Sequence, residues 1–132
     1  MSLFSGDRDG SIICAVSTPP GIGGISAIRV SGPGAYQLIK RSSPQLPAKL
    51  ATHTAYLSVF KDKEGLPVDQ SLFLYFEKGK SFTGEETVEI FCHGSPIICE
   101  RILQELILSG AQAALAGEFT YRAFMNGKVD LT

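Results

Sequence analysis

Glu89 stands in the run TVEIFCH at residues 87–93, where alternation puts Val88, Ile90 and Cys92 on one face and Glu89, Phe91 and His93 on the other. A carboxylate beside an aromatic ring suits a flat heterocycle with adjacent N–H donors, because one carboxylate can accept two hydrogen bonds at once. The same alternation is also met by an ordinary surface carboxylate, which is the commoner case. Arg29 interrupts the otherwise apolar run ISAIRV at residues 25–30. A guanidinium in such a place is costly unless it meets a carboxylate, either internal or on a ligand. Arg122 and Lys128 lie near the end of the sequence, with Glu118 before them. Charged side chains there read most simply as a solvated surface.

Glycine-rich Thr18-Pro-Pro-Gly-Ile-Gly-Gly24 invites a phosphate-binding reading. It fails on chemistry: no Lys-Ser or Lys-Thr follows the last glycine, and a strand follows where a P-loop needs a helix N-terminus. Gly21, Gly23 and Gly24 suit a tight corner, or a backbone that a flat ligand can approach closely. His53 and His93 belong to no recognisable triad, and no catalytic residue is assigned. Cys92, His93 and Cys99 match no zinc spacing and lack a fourth ligand, so no metal is assigned. With Cys14 they make an odd number of cysteines, which points to reduced, packed thiols rather than a disulfide framework. Asp7-Arg-Asp-Gly10 opens like a calcium loop, but no glutamate stands at its twelfth position.

These residues need elements to hold them. The 132 residues make one domain, 44% hydrophobic, with a formal net charge of −1. That balance excludes disorder and argues against broad, salt-driven nucleic-acid binding. The first ten residues are polar, without the apolar core of a signal peptide, and no apolar run approaches the roughly 18 residues of a membrane span. The expectation is a soluble, cytoplasmic protein that has no membrane partner.

Strands are expected at residues 11–17, 25–30, 54–60, 68–76 and 87–93, with a further short one within 111–115. Helices are expected after Ser31-Gly-Pro33, after Ser95-Pro96 and over residues 119–125. Ser95 can cap and Pro96 suits a first turn, while Gly110 suits the helix's end. The fold class is α+β, a mixed sheet of about five to six strands with about three helices. Residues 1–10 read as a flexible lead, 11–127 as the domain, and 128–132 as the first turn of a longer element.

Three segments together resemble the MnmE (TrmE) family. They are Thr18 to Gly24 with Ile28-Arg-Val-Ser-Gly32, then Ser81-Phe-Thr-Gly-Glu85 with Val88-Glu-Ile90 and His93-Gly94, and last Gly117-Glu-Phe-Thr120 with residues 122–131 (RAFMNGKVDL). Ile22, Ser95 and Ala116 depart from the family's usual arginine, glycine and proline. The resemblance implies a folate-binding domain of the glycine-cleavage T-protein type that forms a homodimer, with a helical domain starting at residues 128–132. It implies folate contacts at Arg29, Glu89 and Lys128, with 5-formyltetrahydrofolate standing in for the one-carbon donor, and a wall at Gly21, Gly23 and Gly24. It further implies a parent GTPase that modifies the wobble uridine of certain tRNAs with the flavoprotein MnmG (GidA). GTP, magnesium and potassium would bind in a G domain. No GxxxxGK[ST] or NKxD occurs here, so this chain by itself has no known route to GTP hydrolysis. A dimerisation scaffold without folate and a stand-alone folate-dependent aminomethyltransferase are the alternatives.

Overall fold

A computed structural model describes residues 8–18 and 24–128. The alternating runs become strands β1 (Ile13–Val16), β2 (Ile25–Ser31), β3 (Thr54–Lys61), β4 (Pro67–Phe76) and β5 (Thr87–His93), with a short β6 (Gln112–Ala113). Three helices join them: α1 (Ala35–Ser42), α2 (Pro96–Leu108) and α3 (Glu118–Met125). They form one sheet in the order β3-β4-β5-β2-β1-β6. Its neighbours are antiparallel except for β1 and β6, which run parallel. The α+β expectation with six strands and three helices is what is observed.

The period of two decides the layers. Ile28, Val30, Val88, Ile90, Cys92, Phe60 and Phe73 pack with α1 and α2 in a single core. Their neighbours Ala27, Arg29, Glu89, Phe91 and Leu72 fall on the opposite face. α1 contributes Ala35, Leu38 and Ile39 to the core, and α2 contributes Cys99, Ile102 and Leu106. Ser95 caps α2 by accepting from the Ile98 N–H, and Pro96 occupies its first turn. Both assignments follow from the sequence alone.

The opposite face is divided. Next to β1 and β2 it meets the α3 region, where Phe119 lies against Arg29. Towards β3 and β4 it is open, with Leu57 64% and Leu72 43% exposed. Two glycines set close approaches. A Cβ on Gly32, at φ +144°, would lie 2.6 Å from the Ser11 carbonyl oxygen. A Cβ on Gly84, at φ +82°, would lie 2.8 Å from the Asn126 Cβ, so glycine lets the β4–β5 loop lie against the end of α3.

Arg8, within the segment that the sequence assigns to the lead, bonds to the domain. Arg8 reaches Glu118, and its carbonyl accepts from Arg122 and from the Ser11 hydroxyl. No helix among the described residues is long and apolar enough to cross a membrane.

Candidate functional site

β2 and β5 pair so that Arg29 lies directly opposite Glu89. The Arg29 Nε donates to Glu89 Oε2 at 3.0 Å. The two side chains are about a fifth exposed, 22% and 18% respectively. The Arg29 guanidinium carbon also lies 5.1 Å from the ring centre of Phe82 and 5.2 Å from that of Phe119. A guanidinium at this range of aromatic rings gains cation–π attraction without losing its charge. The carboxylate that Arg29 requires is therefore internal.

This cluster borders a cleft of about 370 Å³. Arg29, Phe82, Phe119, Val16 and residues 114–117 form its walls, while Glu89 reaches it only through Arg29 and is not among the lining residues. Two loops build it, so its shape depends on what fixes them. The β4–β5 loop carries Phe82 and is held by buried hydroxyls. Ser31 and Thr83 are 2.7 Å apart, and Ser81 donates to the Glu85 carbonyl at 2.6 Å. Thr87 donates to the same carbonyl. The segment before α3 is held by Glu118, whose carboxylate accepts from the Leu115 N–H at 2.9 Å.

Lys128 does not join the pair. Its Nζ donates to the Gly79 carbonyl at 3.0 Å, and its stem runs beside Gly84. It thus ties the end of the α3 region to the loop that presents Phe82. Gly24 leaves open space where a Cβ would stand, and its carbonyl accepts from the Gly94 N–H at 3.1 Å. Gly21 and Gly23 lie outside the described residues.

The histidines separate. His53, at φ 60°, packs edge-on against Phe76 and has a structural place. His93 pairs through Nδ1 with Asp69 Oδ1 at 2.6 Å, while Asp69 Oδ2 accepts from the His93 N–H and the Ser71 hydroxyl. The buried Asp69 therefore orients an exposed imidazole. Among the described residues no group of three or more His, Cys, Asp or Glu side chains could hold a metal.

Arg122 is not the solvated end that its position suggests. Its side chain is 7% exposed and donates to Glu85 Oε2 at 3.0 Å, with Glu118 Oε2 3.5 Å away. Glu118 itself is 1% exposed and pairs with Arg8 at 2.6 Å. Charge pairing across the fold makes this burial tolerable, and no local pattern in residues 117–128 announces it.

A family model described as "GTP-binding protein TrmE N-terminus" matches residues 12–128. The chain belongs to this family. A "tRNA modification GTPase MnmE" from Bdellovibrio bacteriovorus is 52% identical over 130 residues, covering 98% of this chain and 27% of that protein. Proteins of the same name from Parabacteroides distasonis and Chlamydia caviae are 48% and 44% identical, covering 92% and 90% of this chain. The chain spans about a quarter of the length of these relatives.

Within this family assignment, the site residues divide by how they could be found. Arg29 and Glu89 are legible as chemically placed residues, and the register brings them together. Phe82 and Phe119, which line the cleft beside Arg29, are not singled out by the sequence. Their signal is present, since each stands inside one of the family motifs, SFTGE and GEFT. Asp69 stands in VDQS, where nothing local marks it as the partner of His93.

Proposed function

We propose that this domain binds a tetrahydrofolate derivative, 5-formyltetrahydrofolate being the suitable analogue, in the cleft beside Arg29 and Glu89. The observation that carries this reading is the ion pair itself, a carboxylate and a guanidinium presented side by side with two aromatic rings. Glu89 can accept from the amino and ring N–H donors of a pterin. Arg29 would hold the Glu89 carboxylate charged and oriented for the pterin, the exposed Lys128 would offer positive charge to the anionic remainder of the ligand, and Phe82 and Phe119 would offer ring faces. Gly21, Gly23 and Gly24 would form the wall nearest the ligand. The fold would correspond to the folate-binding domain of the T-protein type.

In the whole protein this domain would serve a cytoplasmic GTPase that modifies the wobble uridine of certain tRNAs together with the flavoprotein MnmG (GidA). GTP, magnesium and potassium would be bound elsewhere in that protein. Residues 11–127 would form the folate-binding unit, with the helical domain beginning near residue 128.

A calorimetric titration of the chain with 5-formyltetrahydrofolate tests the reading. Saturable binding with one ligand per chain is expected, weakened by Arg29→Ala at unchanged fold. Absence of heat up to millimolar ligand would remove folate from the account.

The same domain would form a homodimer. Support comes from the open part of the sheet, where Ile25 and Leu57 are 65% and 64% exposed and Leu72 and Phe91 lie beside them. Contiguous apolar surface of this kind marks an interaction site more often than chance exposure does. Light scattering across a concentration series should give twice the chain mass at tens of micromolar. A constant monomer mass across the series would refute it.

A further inference from the structure

The cysteines are unused by the folate reading, yet two of them touch. Cys92 closes β5 on its core face, and Cys99 lies in the first turns of α2. Their sulfurs are 3.8 Å apart, close enough for a weak S–H···S contact. Cys14, the third, is buried on β1. The β5–α2 connection is short, and the Ser95 cap and Pro96 fix where α2 begins. The two thiols are thus held at one corner by the same turn that joins their elements.

We propose that Cys92 and Cys99 form an oxidation site for hydroperoxides, closing to an intrachain disulfide that ties the end of β5 to the start of α2. A disulfide has its sulfurs about 2.04 Å apart. The sulfurs therefore have to approach by less than about 2 Å, a movement that side-chain rotation about Cα–Cβ would supply without unpairing β5. Cys99 is the more accessible of the two, 8% exposed against 2% for Cys92, and is the thiol that attacks the peroxide first. Its sulfur takes a hydroxyl from hydrogen peroxide and becomes a sulfenic acid, and one water leaves. The Cys92 sulfur then attacks that sulfur, the S–O bond breaks, and the hydroxyl departs with the Cys92 proton as a second water. Two thiols and one peroxide yield one disulfide and two waters.

Burial pushes the Cys92 thiol up to about 12, with Cys99 beside it adding to the effect. Closure by Cys92 is therefore slow at neutral pH, because its thiolate is the attacking species in that step. Slow closure distinguishes this corner from a fast redox sensor and makes it a response to sustained peroxide. The turn it would fix carries His93, the residue after Cys92, so closure also restricts the exposed imidazole that Asp69 orients.

The test uses trypsin and mass spectrometry on the folded chain. Cys92 and Cys99 share one tryptic peptide, residues 81–101, and Cys14 falls in another, residues 9–29. After hours with hydrogen peroxide at mildly alkaline pH, the chain is unfolded in denaturant, free thiols are alkylated, and it is digested without reductant. The expected result is peptide 81–101 lighter by two hydrogens and unalkylated, with Cys14 alkylated. The oxidised chain should also melt about 5 °C or more above the reduced chain, as closure of a short loop implies. Peptide 81–101 carrying two alkyl groups, or separate sulfinic acids at Cys92 and Cys99, would overturn the proposal. So would disulfides to Cys14 or between chains. Cys99→Ser, judged by its own melt to be folded, should abolish the lighter peptide, and its persistence would equally overturn the assignment.

Discussion

Replacing Glu118 by alanine should cost the chain about 2–4 kcal/mol of stability, a large part of the roughly 5–15 kcal/mol that a domain possesses. The carboxylate is 1% exposed and accepts from Arg8 Nε at 2.8 Å, from Arg8 Nη2 at 2.6 Å and from the Leu115 N–H at 2.9 Å. Breaking a buried ion pair on one side typically costs about 3–5 kcal/mol, because the surviving charge is left without compensation. Two features reduce the figure here. Arg8 is 20% exposed and can turn to water, and Arg122 retains Glu85 at 3.0 Å. Glu118→Gln keeps an acceptor for Leu115 and should lose less.

Acid should act in the same direction. Burial alone would raise the Glu118 carboxyl, but the hydrogen bonds from Arg8 and Leu115, with the charges of Arg8 and Arg122, hold it below its ordinary value of 4.5. A carboxyl lowered by folding contributes its stability in full above that ordinary value. The contribution fades as the pH falls from there through the lowered native value. Denaturant melts of the parent chain and both variants, repeated from pH 7 down to pH 3, measure this directly. An alanine variant within 1 kcal/mol of the parent at pH 7 would show that the network contributes only position, not stability.

Glu89→Gln should weaken 5-formyltetrahydrofolate by about 30- to 1000-fold while leaving the fold nearly untouched. Glu89 lies opposite the core residues Val88 and Ile90, on the face where Arg29 lies. Charge-assisted hydrogen bonds contribute about 1.5–3 kcal/mol each. Glutamine keeps the shape but replaces one acceptor by a donor, which opposes a pterin N–H. The loss is then about 2–4 kcal/mol of binding. Stability should move by no more than about 1 kcal/mol, since the pair is partly exposed and the amide oxygen can still accept from Arg29. Titration beside a thermal melt separates the outcomes. Equal affinities would take Glu89 out of the site. A large fall in melting temperature without ligand would make the Arg29–Glu89 pair a structural strut.

Much of this arrangement was legible in residue order, because it depends on neighbours. The alternation of TVEIFCH assigns Ile90 to the core and Glu89 to the other face. Ser95-Pro96 marks the start of α2 through one side-chain oxygen and one fixed dihedral. The three motifs place the chain in its family because their types, order and spacing are properties of the sequence itself. The lone arginine in ISAIRV demands a carboxylate by the cost of burying charge, whatever the fold.

Which carboxylate answers that demand was settled only by folding. Arg29 meets Glu89 across 60 residues of chain because β2 and β5 pair in one register, and a slip of one residue would put Glu89 on the core face. Arg8 meets Glu118 across 110 residues, and Arg122 meets Glu85 across 37, through loops whose approach Gly84 and Gly32 permit. Asp69 becomes the partner of His93 because β4 runs beside β5. Phe82 and Phe119 become neighbours of one guanidinium from separate loops. Local propensity acts over a few residues, whereas each of these contacts depends on which strand lies beside which. That choice is made by the burial of the whole apolar face at once, and so it is a property of the tertiary structure alone.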